Sequence, residues 1–264
     1  MMLRTLRLSD GAAVRVIEAG TGTPVLLIHG VGMRAEAWEP QSSALAKSAR
    51  VIAVDMPGHG ESDPLPGKPA LPDYVAWAAR VIEALGLGPV AVAGHSMGSL
   101  IAAGLAIERP DLVARAALLN GVHRRSPEAR AAVLNRAAEI AAGIGGIEAP
   151  LARWFTPDQA DLRERVAGWL RAVSPAGYAA AYRAFAEGDT VYADRLGDIR
   201  CPLLVLTGDG DANSTPDMTR TMAAMAAQGR AVVIEGHRHM VNLTAPDAVT
   251  HELQQWLSIK EIAA

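Results

Sequence analysis

One cysteine, Cys201, is all the sulfhydryl chemistry in the sequence. A lone thiol excludes an intrachain disulfide framework and any cysteine-rich zinc site. Charge of one sign is missing as well: 25 Lys and Arg stand against 28 Asp and Glu, a net charge of -3. That balance leaves no electrostatic footprint for nucleic acid or for an anionic membrane. No apolar run is long enough to span a bilayer, and the opening residues Met1-Met2-Leu3-Arg4-Thr5-Leu6-Arg7 lack the continuous apolar stretch of a signal peptide. A cytoplasmic protein in a reducing compartment is the expectation. Internal repeats, low-complexity tracts and linkers are absent too.

What the chain does have is core material. Half of its 264 residues are apolar and only 20% are charged, which suits one domain, or one domain carrying an insertion. Short β-branched or Leu-rich runs alternate with longer Ala-rich stretches, the pattern of a mostly parallel sheet with helices on both faces. Eight strands are expected, at residues 3–8, 14–18, 25–28, 51–55, 90–93, 116–120, 203–207 and 231–235. The first two form a hairpin around Ser9-Asp10-Gly11. Helices are expected at 34–47, 73–85, 97–108, 216–227 and 246–259. The alternation stops between Asn120 and Leu203. Helical stretches at 127–142, 157–173 and 175–186, punctuated by Gly143-Ile144-Gly145-Gly146 and Ser174-Pro175, read as a helical cap at 122–198 over a core made of 1–121 and 199–264. The glycine run would let such a cap move.

Chemistry concentrates where strands end. Gly94-His95-Ser96-Met97-Gly98 follows one expected strand and opens one expected helix. A serine on that bend is forced out of the sheet, flanking glycines give it room, and the helix N-terminus favours negative charge. A nucleophilic serine needs a base, an orienting acid and an oxyanion hole. Residues 203–207 run into Gly208-Asp209-Gly210-Asp211, and residues 231–235 into Gly236-His237-Arg238-His239. Both place candidate groups at the carboxyl edge of the sheet, where open parallel sheets bind their ligands. A metal site built on His237 and His239 or on Asp209 and Asp211 is the rival reading; no third histidine cluster accompanies them, so no metal and no cofactor is expected.

The chain order Ser96, Asp211, His239 and the serine elbow resemble the α/β-hydrolase family, over nearly the whole chain. Leu27-Ile28-His29-Gly30-Val31-Gly32 resembles its oxyanion loop, and Asp55-Met56-Pro57-Gly58-His59-Gly60-Glu61-Ser62 its loop after the following strand. The resemblance implies Ser96 as nucleophile, His239 rather than His237 as base, and Asp211 rather than Asp209 as acid. It also implies the backbone N–H groups of Val31 and Met97 as the oxyanion hole. Some members take the acid from the position held here by Asn120, an amide that cannot stabilise an imidazolium as a carboxylate does.

The other histidines read more plainly. His29 and His59 are expected to make structural hydrogen bonds, His95 to shape the pocket wall, and His251 to lie on the surface. His123, Arg124 and Arg125 read as a solvated charge cluster, with contact to an anionic substrate as the alternative. Trp154, Phe155, Trp169, Tyr178, Tyr182 and Phe185 fall in the insertion, and some would line an apolar pocket with Met33, Arg34 and Trp38. Arg34, Trp38, His95, Trp154 and Tyr182 are the candidate substrate contacts, Arg34 as the partner of a substrate carboxylate.

Within the family the chain is similar to small carboxylesterases and enol-lactonases. The expected function is cleavage of a small carboxylic ester or lactone through an acyl-enzyme. The alternatives are a carbon–carbon bond hydrolase of a ring-cleavage product, or a non-hydrolytic enzyme or ligand receptor on the same fold. Ring-cleavage hydrolases usually carry a longer oxyanion loop and an asparagine where this chain has His95. Epoxide hydrolases and haloalkane dehalogenases use an aspartate where it has Ser96.

Overall fold

The computed structural model describes residues 1–259. Eight strands form a single sheet: β1 (Met2–Arg7), β2 (Ala13–Ala19), β3 (Thr23–Ile28), β4 (Ala49–Val54), β5 (Val90–His95), β6 (Val113–Leu119), β7 (Leu203–Gly208) and β8 (Gly229–Ile234). The spatial order is β1-β2-β4-β3-β5-β6-β7-β8. The β1–β2 hairpin and the β2–β4 pair are antiparallel, and every other pair is parallel. All eight expected strands form.

The central strands are apolar without interruption because both sheet faces are covered. Along β3, Leu26 and Ile28 point into one cluster, Val25 and Leu27 into the other. The first cluster is closed by α2 (Leu71–Ala84), α3 (Met97–Glu108) and α8 (Pro216–Met225); the second by α1 (Glu39–Leu45) and α10 (Pro246–Ser258). Trp38 and Trp256, each almost fully buried, fill the second layer. Truncating either to alanine would cost about 3–5 kcal/mol.

The expected helix at 34–47 is split. A 3-10 turn, Ala35–Trp38, precedes α1, and Pro40 sits at the start of the latter. Proline donates no N–H, so the chain tightens ahead of it and restarts as α-helix.

Between β6 and β7 the chain forms α4 (Pro127–Ala141), α5 (Glu148–Trp154), α6 (Ala160–Ala172) and α7 (Pro175–Gly188). The starts of α4 and α7 share one device: Ser126 and Ser174 accept from the backbone N–H three residues on, and proline follows each. Helix α5 escapes a periodicity reading because it has two turns and contains Pro150. Tertiary contacts hold it: Leu151 and Phe155 pack with Val166, Leu170, Met33, Met240 and Leu243 in a third cluster. A four-residue turn of helix, α9 (Val241–Thr244), also lay outside the expected elements. No helix among the described residues is long and apolar enough to cross a membrane.

The insertion meets the core backbone to backbone where Gly177, at the start of α7, lies against Gly58 in the loop after β4. A Cβ at either glycine would collide with the backbone of the other. Gly177→Ala should therefore shift α7 and lower stability by about 1–3 kcal/mol. An unchanged midpoint in thermal unfolding would show that the contact is slack.

Candidate active site

The site starts from a strained turn. Ser96 has φ 54 and ψ -115 between β5 and α3, a conformation that a non-glycine residue adopts only when its surroundings impose it. They do so by close approach: a Cβ at Gly94 would meet the Gly98 carbonyl, and one at Gly98 would meet the carbonyls of Ile28 and His29. Strand β5, helix α3 and the end of β3 thus touch backbone to backbone. Hydrogen bonds secure the bend, Ser96 N–H donating to the Leu119 carbonyl at 2.8 Å and Ser99 Oγ–H to the Ser96 carbonyl at 2.5 Å.

His239 and Asp211 meet at 2.8 Å, imidazole Nδ1–H donating to Oδ2. Asp211 is nearly fully buried, and its carboxylate is saturated with donors. Oδ2 also accepts from Asn120 Nδ2 at 2.8 Å, and Oδ1 accepts from the N–H groups of Asn213 at 2.8 Å and Ser214 at 3.1 Å. Burial opposes ionisation, yet the imidazole of His239 and these donors outweigh it and hold the carboxyl below its ordinary range. The neighbouring candidates are engaged elsewhere. Asp209 accepts from Gly236 N–H on an exposed turn, and His237 meets Thr244 Oγ1 at 3.0 Å.

Asn120 is the residue whose part was missed. It has φ 50, its N–H donates to the Leu206 carbonyl, and its own carbonyl accepts from Ser214 Oγ. The amide at this position braces the Asp211 carboxylate instead of replacing it. A polar residue at the end of the strand after the elbow was the only sequence signal.

The loop after β3 is held by two histidines. His29 Nε2 accepts from Met56 N–H at 2.9 Å, and His59 Nε2 accepts from Gly32 N–H at 3.0 Å. Each Nδ1–H donates to a carbonyl, that of Gly30 and that of Pro57 respectively. Both rings must therefore be neutral, and complete burial pushes them down to about 4 and about 3. The expected structural hydrogen bonds are present. Asp55 tethers the same segment by accepting from Ala35 N–H at 2.7 Å and from Arg15 at 2.9 Å. The N–H groups of Val31 and Met97 take no part in any backbone hydrogen bond among the described residues.

Ser96, Val31 and His239 line one cavity of about 450 Å³. Among the described residues no hydrogen bond joins the Ser96 hydroxyl to His239; such bonds often close only around substrate. The β6–β7 insertion supplies the opposite wall, including Trp154, Tyr178, Tyr182 and Phe185. The Trp154 ring stacks on the His239 imidazole, centroids 5.6 Å apart at 29°. Arg125, Arg136 and Arg153 reach the cavity as well, where Glu139 is the acidic residue lining it.

Three expected substrate contacts are corrected. Arg34 pairs with Glu36 at 2.7 Å and does not line the cavity. Trp38 is fully buried beneath the sheet. His95 lies behind His239, its ring 5.1 Å away and its Nε2–H donating to the His239 carbonyl at 2.8 Å. It is kept neutral by burial, which pushes it down to about 3. Trp154 and Tyr182 do line the cavity. Phe155 and Met33 belong to the third core cluster, and Trp169 packs against it.

Comparison with known proteins converges on the same architecture. A family model described as alpha/beta hydrolase family matches residues 25–252. The chain belongs to the alpha/beta hydrolase family. It is 52% identical over 259 residues to the (E)-2-((N-methylformamido)methylene)succinate hydrolase of Acinetobacter baylyi, covering 97% of this chain and 98% of that one. A 2-(acetamidomethylene)succinate hydrolase of Mesorhizobium japonicum is 28% identical over 89% of this chain and 87% of its own. Among solved structures, a thermophilic esterase from Thermogutta terrifontis with malate bound superposes with a TM-score of 0.88. It is 29% identical and covers 97% of this hydrolase and 98% of itself.

Three buried neutral histidines give this alpha/beta hydrolase a defined acid sensitivity. Unfolded, each ring binds a proton below about 6.5; folded, His29 does so only near 4 and His59 and His95 only near 3. Between those limits the unfolded chain carries more protons, so stability is full above about pH 6.5 and falls with pH through the window. Urea unfolding at pH 7 and pH 5 should show this loss, and His59→Gln should reduce it. An unaltered pH slope in the variant would contradict the assignment.

Proposed function

We propose that this chain is a serine hydrolase that removes the N-acyl group from a small acylamidomethylene-succinate. The observation that carries the reading is the 52% identity, across nearly the whole of both chains, to a hydrolase named for a compound of that class. It favours the alternative read from the sequence, a carbon–carbon bond hydrolase of a ring-cleavage product, over an ester or lactone hydrolase, with the difference that the bond cleaved in this reading is C–N. The esterase neighbour is more distant. The cavity agrees in charge: three arginines against one glutamate suit a substrate with two carboxylates.

In this mechanism Ser96 Oγ adds to the acyl carbonyl while His239 Nε2 takes its proton. Asp211 holds the imidazole through Nδ1–H and stabilises its cationic form. The N–H groups of Val31 and Met97 receive the oxyanion. The intermediate collapses with cleavage of the C–N bond, His239 returning its proton to the departing nitrogen. That nitrogen sits on a carbon–carbon double bond conjugated with a carboxylate, which draws in its lone pair and makes it a better leaving group than an ordinary amine. Water, deprotonated by His239, then attacks the acyl-serine and releases the carboxylic acid. Trp154, stacked on His239, keeps bulk water from the imidazole. The insertion carrying it acts as the cap.

The test is steady-state turnover of (E)-2-((N-methylformamido)methylene)succinate and of short p-nitrophenyl esters. The reading predicts release of formate with kcat/KM at least about 100-fold above that for the esters. Ser96→Ala should cost on the order of 10⁴–10⁶ in kcat. Equal efficiency on neutral esters would return the ester reading, and a Ser96→Ala rate near wild type would remove the serine mechanism.

A further inference from the structure

We propose that Arg125, clamped by Asp189, is the anchor for a substrate carboxylate and the residue that selects anionic over neutral substrates. This inference rests on the reading above for the identity of the anion.

Asp189 is completely buried as a side chain and faces two guanidiniums: Arg130 Nη1 at 2.6 Å and Arg125 Nη1 at 3.3 Å. Its other oxygen accepts from the Arg125 backbone N–H at 2.8 Å. One carboxylate thus serves two cations, and the cluster keeps a net positive charge. Arg130 is partly exposed, whereas the Arg125 side chain is 4% exposed, so the surplus that water cannot screen belongs to Arg125.

Hydrogen bonding points the same way. The guanidinium lies over the Phe185 ring at 4.5 Å. Nη1 is shared between Asp189 and long contacts to the Phe185 and Ala186 carbonyls at 3.5 Å. Nη2 is buried and has no partner among the described residues. Arg125 lines the same cavity as Ser96 and His239. An unsatisfied buried donor on a group that stays charged carries a full desolvation penalty, and a ligand carboxylate in the cavity supplies the acceptor and the countercharge together. The fixed side, through Asp189 and Phe185, presets the fork, so little freedom is lost on binding. Sequence alone hides this: His123-Arg124-Arg125 reads as a surface cluster, and Asp189 lies 64 residues farther on. Arg124 does stay outside, paired with the exposed Asp194.

The test is equilibrium binding of methylenesuccinate and of its neutral dimethyl ester to the full chain, by calorimetry, in wild type, Arg125→Gln and Arg125→Lys. The dianion should bind wild type, lose at least about tenfold in affinity in Arg125→Gln, and fall in between in Arg125→Lys, which keeps the charge and loses the fork. The diester should bind both variants as it binds wild type. If Arg125→Gln does not fold, Arg125→Lys alone should weaken the dianion severalfold and spare the diester. Dianion affinity within about twofold of wild type in folded variants, or no dianion binding to wild type, overturns the proposal. Binding needs no turnover: loss of dianion affinity in a protein that does not cleave the acylamido compound would sink only the reaction, and normal affinity in a protein that does cleave it would sink only the anchor.

Discussion

The backbone contact among β3, β5 and α3 is the constraint on which everything else depends. Gly94 and Gly98 have no side chains, so the carbonyls of Ile28, His29 and Gly98 come within reach of them, and Ser96 is bent into a left-handed turn at the carboxyl edge of the sheet. Any side chain at either glycine would separate those elements and let the turn relax. The contact also sets the distance between the nucleophile turn and the loop bearing Val31, since that loop continues directly from β3. One packing event therefore positions the candidate nucleophile and both candidate oxyanion donors.

Around that turn, burial does electrostatic work. His29 and His59 each accept a backbone N–H through Nε2, which needs a neutral ring, and the dry interior keeps both of them and the donor His95 neutral. Asp211 is treated in the opposite way. Its carboxylate is equally buried, but four donors from Asn120, Asn213, Ser214 and His239 keep it charged. A charged acid beside neutral structural histidines is the environment a serine–histidine relay requires.

Much of this was legible in the sequence, for physical reasons. The eight strands announce themselves because buried parallel strands are uninterrupted apolar runs ending in turn residues. Helix α3 is legible to the residue because a tight turn and the Glu108-Arg109-Pro110 break bound it. Strand ends offer Ser96, either Asp209 or Asp211, and either His237 or His239, and the family resemblance is what singles out Asp211 and His239. What stayed hidden depends on partners remote in sequence. Arg34 looked free to meet a substrate, but Glu36 takes it, and Glu36 is fixed in turn by Arg15 of β2. Trp38 looked like a pocket aromatic because a periodicity has two faces and does not name the one that meets the core. Helix α5 is too short to show a period, so only its packing on Met33 and Met240 defines it.

The proposed mechanism stands on acylation of Ser96. Acid-quenching the reaction with (E)-2-((N-methylformamido)methylene)succinate within the first turnover, followed by peptide mass analysis, traps that step. A formyl adduct on the peptide containing Ser96 should appear before free formate and decay as formate accumulates. Formate release at full rate with that peptide unmodified at every quench time would contradict it.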